Sequence, residues 1–555
     1  MIADELADKL LGVLLSSDPL TGSVLGLAEY DERLPDLSVR AQDEEASALR
    51  ALADEASHLG DSDAGEAERQ TGDFVRCVAA AGAGAAAVPL VEFTVGDFHG
   101  APVTGVLTTL PKVPLDTEER ADAYVARLEG LASVLETAAG RHLMGVEAGR
   151  VPVRRLVEAA VAQLDDFLAD ADLGGLRRAR AGDASFDERV GRALEQTVRP
   201  ALSRYRATLS SQVLGASRDD AHCGLCHLPD GERMYAALVR LQTSTERAPE
   251  ALHQAGREIV ERVHEEFRDL GNRLWGTADL GAIFDRLRHD PELRYESPEE
   301  ILADARAAVA RAEQAAPRWF RQVPSSACLV EPVPPVEEAG SAPAYYLPPA
   351  VDGSRRGTYF LNTSRASERS RVEGETMAFH EAVPGHHFQL TIAQGQEGLS
   401  LPRRLLWDTA CTEGWALYAE RLADEMGLYS DDLTRLGMLS ADVWRAGRLV
   451  VDTGIHALGW SRQDAVDWFG AHAPLSQLVV ESEVNRYITY PAQALSYMVG
   501  RLELVRLRQD ASERLAERFD LATFHDVVLR AGPLPLPAMA GVVERWEARG
   551  GAPGS

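Results

Sequence analysis

The chain has no run of 18 or more apolar residues, so no helix is expected to cross a membrane. It is also poor in positive charge. Lys and Arg number 57 against 86 Asp and Glu, a formal net charge of -29 over 555 residues. A nucleic-acid backbone or an anionic bilayer calls for a basic surface, so neither is expected as a partner. Cysteines are few and odd in number. Cys77, Cys223, Cys226, Cys328 and Cys411 do not form a disulfide framework, which agrees with a reducing compartment. The first five residues are acidic in character, and the apolar stretch at 10–15 is too short, and lacks the basic flank, for a secretory signal. Together these absences lead to the expectation of a cytoplasmic protein. One Cys-x-x-Cys-His stands at 223–227, the pattern of c-type haem attachment. No second Cys-x-x-Cys completes a zinc ribbon, and Cys223 and Cys226 are expected to be loop thiols rather than a redox pair.

What remains is ordinary for a large globular chain, with 45% hydrophobic and 26% charged residues and enough length for two or three lobes. Three-to-four spacing of Leu, Val and Ala predicts helices over 118–140, 151–171, 186–213, 246–270 and 297–316. After residue 364 it predicts them again over 370–395, 402–427, 431–458, 461–472, 491–517, 521–530 and 536–549. Alternation at 91–95, with Gly100 beyond it, reads as a short hairpin or loop insertion within 91–110. Proline clusters between 317 and 363, where 327–330 and 358–361 read as short strands. The expected fold class is therefore mainly α, with a small β element near the middle of the chain. The expected division is an N-terminal helical lobe over 1–340, a metal-binding helical lobe over 341–549, and a loose tail over 550–555.

The chemistry concentrates at 379–389, Phe-His-Glu-Ala-Val-Pro-Gly-His-His-Phe-Gln. A histidine followed by glutamate opens the metal site of many zinc hydrolases: the imidazole is a neutral ligand, and the carboxylate can take a proton from an activated water. The second histidine of such a site normally falls one helical turn on, and that position is Pro384. Proline cannot donate to the carbonyl of His380 and its ring crowds that turn. A helix bulged or widened at Pro384-Gly385 is expected. Two residues looped out would bring His386 to the metal beside His380; three would bring His387. The histidine left over would face substrate or support the site. Glu413, on the next helix, is the expected third ligand, and Glu420, two turns on, could orient a ligand histidine. Gly414 is out of place in a helix interior unless another helix or the ion comes close. Zinc is expected from the ligand types.

This stretch resembles the signature of a large, mostly bacterial family long labelled a domain of unknown function and treated as zinc metallopeptidases of the His-Glu class. Other segments fit that resemblance: 102–107, 243–245, 344–349 with 353–355, 359–363, 413–420, 452–457, 483–488 and 491–497. Ala492 stands where the family usually has glycine, and Met498 where lysine is common. The resemblance implies a helical fold similar to the deep-cleft zinc carboxypeptidases and oligopeptidases, where access is limited to short peptides. It implies His380, one histidine of the 386–387 pair and Glu413 as ligands, with Glu381 as general base. An oxyanion donor is expected from Tyr487, His456 or Tyr497, and Arg486 has a planar fork suited to a substrate carboxylate. The expected function is zinc-dependent hydrolysis of short peptides. The competing readings are a non-catalytic protein that keeps the metal for binding, and a zinc hydrolase of a non-peptide amide.

Overall fold

A computed structural model of the chain describes residues 2–552 except 62–64, 335–337, 339–341 and 351–354. Helices make up 71% of it, and among the described residues one three-stranded sheet lies mid-chain, so the fold is mainly α. The helix termini follow local chemistry. Thr117, Asp183, Ser297, Asp408, Asp431 and Ser461 each accept from a backbone N–H of the first turn that follows, satisfying donors a helix start would leave orphaned. Among the described residues two large apolar cores result, with a small third cluster of Leu11, Leu15 and Tyr30. The largest draws on residues from Leu6 to Trp546, and the second on residues from Leu20 to Val213. The lobe boundary expected at 340, residues 353 and 354 of the resemblance, and the last three tail residues lie outside the described residues.

The expected helices are present with shifted ends, for instance Glu118–Glu147, Pro298–Ala315 and Leu536–Ala548. Four expectations change, the first being that the helix expected over 402–427 is split into Leu401–Leu405 and Thr409–Glu425. Residues 91–110 hold no hairpin: Leu90–Phe93 and Pro102–Thr109 are helical. Val103, Val106, Leu107 and Leu110 are buried on one face at three-to-four spacing, and Pro102 occupies the first turn. Gln477–Thr489 is a further helix, capped by Ser476. The helix expected over 370–395 is broken in two, Gly374–Glu381 and His386–Gln394.

The sheet runs Leu329–Pro332, Thr358–Leu361, Ala344–Leu347 in spatial order. Thr358–Leu361 pairs parallel with the first and antiparallel with the last, in register Tyr346 to Tyr359. Ala344–Leu347 is thus an edge strand, and helix Gly374–Glu381 packs beside it. That helix also packs on Pro298–Ala315 and Asp432–His456, while His386–Gln394 packs on Leu521–Arg530. Among the described residues, no helix is long and apolar enough to cross a membrane.

Candidate metal centre

The break between the two helices places the site. Glu381 ends the first helix, and residues 382–385 leave helical geometry, with Ala382 at φ -108, ψ -96 and Gly385 at φ -80, ψ -131. The chain is interrupted here rather than bulged, because Pro384 has no N–H to continue the ladder. Trp415 Nε1 donates to Pro384 O at 2.8 Å and pins the loop. Gly385 is required for space: a Cβ there would meet His380 O at 1.9 Å and Phe379 O at 2.4 Å. The next helix therefore begins at His386, directly over the end of the first.

Helix Thr409–Glu425 brings the carboxylates. Gly414 lets it cross Ser496–Leu515 backbone to backbone, since a Cβ on Gly414 would lie 2.4 Å from Gly500 C. Glu413 then faces both histidines. Its Oε2 lies 3.6 Å from His380 Nε2 and 3.5 Å from His386 Nε2, and the two rings stand nearly perpendicular, 4.8 Å apart. Glu420 Oε1 accepts from His380 Nδ1 at 2.7 Å, which fixes the tautomer and leaves Nε2 turned toward Glu413. Burial alone would raise the Glu413 carboxyl, but the two imidazoles hold it well below the ordinary range. Burial alone would lower His380; the neighbouring carboxylates of Glu413 and Glu420 and the charge of Glu381 raise it instead, to about 10. The site is built to hold positive charge.

His380, His386 and Glu413 offer three ligand atoms within 4.8 Å of one another, a group that could hold a metal ion. The fit is good on two counts. Glu413 Oε2 is buried with no hydrogen-bond partner, the mark of an acceptor that serves something else. In a tetrahedral site with bonds of about 2.0–2.1 Å, ligand atoms sit roughly 3.3 Å apart, close to the spacing between Glu413 Oε2 and each imidazole. Two imidazoles, one carboxylate and an open fourth position suit zinc. These ligand atoms and Glu381 line a cavity of about 480 Å³, bordered by Tyr345 and Tyr346 of the edge strand and by Tyr497.

The other residues singled out from the sequence divide. Tyr497 is on the cavity wall; burial and the neighbouring Glu413 charge raise its phenol, so it stays a proton donor. Arg486 also lines the cavity, but its guanidinium is tied to Glu483 at 3.1 Å and to Gln493. His387 turns away from the cluster: Tyr346 OH and Ser326 O take its two ring nitrogens at 3.0 Å each, and burial lowers it to about 4. His456 and Tyr487 are fully buried and outside the cavity lining. The His456 ring accepts from Leu225 N–H and donates to Tyr487 O, so neither nitrogen is available to a substrate. Tyr487 OH donates to Glu483 Oε2 at 2.6 Å and accepts from Arg448 at 3.1 Å. The Cys223 and Cys226 thiols are free and lie against the carbonyls of Trp460 and Ile455 at 3.7 and 3.6 Å, as packed loop thiols do. Sequence reasoning missed Arg445 and Arg448, which line the cavity from helix Asp432–His456. Charged residues in a largely buried helix, Arg445 and Arg448 with Asp442 and Asp452, were the available signal.

The fold and site thus define a mainly helical protein with a cavity that carries a His-His-Glu group able to bind a metal. The chain belongs to the family described as "Bacterial protein of unknown function (DUF885)", whose model matches residues 19–543. A solved chain from Colwellia psychrerythraea, described as a "putative lipoprotein", is 26% identical, with a TM-score of 0.88 and 99% of each chain covered. A second, described in the same words and from Shewanella oneidensis, is 17% identical with a TM-score of 0.78, covering 97% of this chain and 99% of that one. An oligoendopeptidase F from Bacillus anthracis aligns at 11% identity and a TM-score of 0.30, too low to carry an argument. No curated protein matches in a sequence comparison. The cytoplasmic expectation is overturned by the first two, since lipoproteins are membrane-anchored outside the cytoplasm. Scarcity of cysteine does not locate a protein.

Proposed function

We propose that this protein is a metal-dependent hydrolase of short peptides, with His380, His386 and Glu413 holding a zinc ion and Glu381 acting as general base. The observation that carries the proposal is the buried, unpartnered Glu413 Oε2 facing both imidazoles, with Glu381 next to His380 on the same cavity wall. A bound divalent ion would supply Lewis acidity to a peptide carbonyl. The protein's own residues do the rest. Glu381 takes a proton from the attacking water and returns it to the leaving amine. Tyr497 donates a hydrogen bond to the carbonyl oxygen as charge develops there. Glu420 positions His380 and does not touch substrate. The exposed edge of Ala344–Leu347 can align an extended peptide along the cavity by backbone pairing. A volume of about 480 Å³ has room for a short peptide and none for a folded chain.

The test is metal content together with hydrolysis of a mixed peptide library read by mass spectrometry. Wild type should bind about one zinc per chain and cleave. Glu381→Gln should keep the zinc and lose cleavage by about 100-fold or more. A Glu381→Gln variant that cleaves at the wild-type rate refutes the mechanism. Wild type that binds zinc and cleaves nothing favours the binding reading instead.

A further inference from the structure

The wall across from the metal group is cationic. Arg445 and Arg448 from helix Asp432–His456 and Arg486 from Gln477–Thr489 line the same cavity as His380, Glu381 and Glu413, with Glu483 among them. Three guanidinium groups stand there with two carboxylates, Glu483 and Glu373, and the Arg445 charge offsets part of the cost of burying Glu373. Glu483 is used up: it pairs with Arg448 at 2.9 Å and with Arg486 at 3.1 Å. Arg448 is 4% exposed, its Nε and Nη2 engaged by Tyr487 and Glu483, and its Nη1 donates to nothing. Arg445 is half-buried, and among the described residues it makes no hydrogen bond or ion pair; its Nε is buried without a partner. Its guanidinium lies over Trp444, 4.5 Å from the ring centroid, a cation–π contact that holds the side chain in place.

A guanidinium stacked on an aromatic ring inside a cavity, with unmet donors and the charge of Glu373 acting on it without an ion pair, is matched by a planar anion that accepts two hydrogen bonds. A carboxylate is that anion. Its distance from the reacting bond is set by Tyr497. The Arg448 guanidinium lies 4.5 Å from the Tyr497 ring centroid, and the charges of Glu413, Arg448 and Arg445 all act on the Tyr497 phenol. One aromatic side chain therefore separates the cationic wall from the metal group, about the reach of a single terminal residue.

We infer that Arg445, backed by Arg448, anchors the free α-carboxylate of the substrate, so that residues are removed from the carboxyl end of short peptides. This rests on the hydrolase reading for the cleavage, though not for the binding. The first arm is a titration of the metal-free protein with N-acetyl-dialanine and with its C-terminal amide, followed by calorimetry. The acid should bind about 10–100-fold more tightly, the gain expected of hydrogen bonds to a charged group. Arg445→Gln, which keeps a stem to pack on Trp444, should erase that preference, and Arg445→Ala should do the same. The second arm is hydrolysis of an N-acetylated tripeptide and its amide by the zinc-loaded protein, where the acid alone should be cleaved efficiently. Acid and amide treated alike in both arms overturns the anchor and leaves the hydrolase standing. Preference for the acid in binding with no cleavage of either peptide supports the anchor and sinks the hydrolase.

Discussion

Replacing Gly414 by alanine sets two effects against each other, and the geometry decides between them. In the interior of an isolated helix the change should stabilise by about 1 kcal/mol. Here the new Cβ would sit 2.4 Å from Gly500 C, 2.5 Å from Gly500 Cα and 2.7 Å from Arg501 N. Carbon atoms in contact normally lie about 3.5–4.0 Å apart, so the two helices must separate by roughly 1 Å. The clashing atoms are backbone and cannot rotate aside. Overpacking of this kind costs about 1–3 kcal/mol and sometimes more, and this case belongs at the upper end. The net effect is a loss of about 2 kcal/mol or more. Glu413 is the adjacent residue, so the same displacement pulls a ligand off the metal group. Gly140→Ala is the control: it is interior to helix Glu118–Glu147, exposed, and nothing lies within 4 Å of its Cβ. Calorimetry should show Gly414→Ala melting below wild type and Gly140→Ala at or above it, and zinc affinity should fall only in the first. A Gly414→Ala protein as stable as wild type, with full zinc affinity, would show that the crossing is looser than described and that the glycine does not position Glu413.

Glu420→Gln keeps shape but removes the charge that His380 Nδ1–H meets at 2.7 Å; zinc affinity in a chelator competition should drop by about 10–100-fold, and an unchanged affinity ends the positioning role. Tyr497→Phe should lower kcat by about 100-fold or more with KM nearly constant, whereas Tyr487→Phe, which strands Glu483 and Arg448, should lower the melting temperature and spare kcat; the reverse pattern would move the oxyanion donor to Tyr487. Burial opposes ionisation of Glu483, but Arg448 and Arg486 outweigh it and lower its pKa from 4.5 to about 2. Its ionised form therefore contributes stability above pH 4.5, and that contribution drains away as pH falls toward 2. Acid unfolding of Glu483→Gln should show a shallower slope over that window, and an identical slope would remove Glu483 from the balance.

How much of this was legible in the sequence depended on how local the signal was. Long periodic stretches such as 118–140 reported their helices because an apolar face repeats there many times. The 91–110 stretch misled because its apolar runs are short, and short runs fit a strand or a helix turn equally well. At 384 the missing N–H of proline announced a disturbed helix, but not that the chain would stop and restart. The metal group was readable because His380, His386 and Glu413 lie on neighbouring elements of one signature. His456 and Tyr487 were singled out by residue type, which says nothing about which face of a helix they occupy; both turned inward to satisfy backbone and side-chain partners. Arg445 and Arg448 escaped because their meaning comes from the far side of the cavity, a relation only the fold creates.

The interruption at 382–385 also bears on the mechanics of the molecule. His380 belongs to a helix braced on Pro298–Ala315 and Asp432–His456, and His386 to one braced on Leu521–Arg530, while both also pack on Thr409–Glu425. The covalent link between them is four non-helical residues, so an ion at this point would add a cross-brace between two helices that share one support and differ in the others. Occupancy at one spot would then be felt in both helices. With free zinc at 1,000 times its dissociation constant, mass action alone adds about 4 kcal/mol to the folded state. Hydrogen exchange should accordingly slow on both sides of the gap when zinc is added, at 374–381 and at 386–394 together; protection confined to one side would mean that the ion does not brace the two helices against each other.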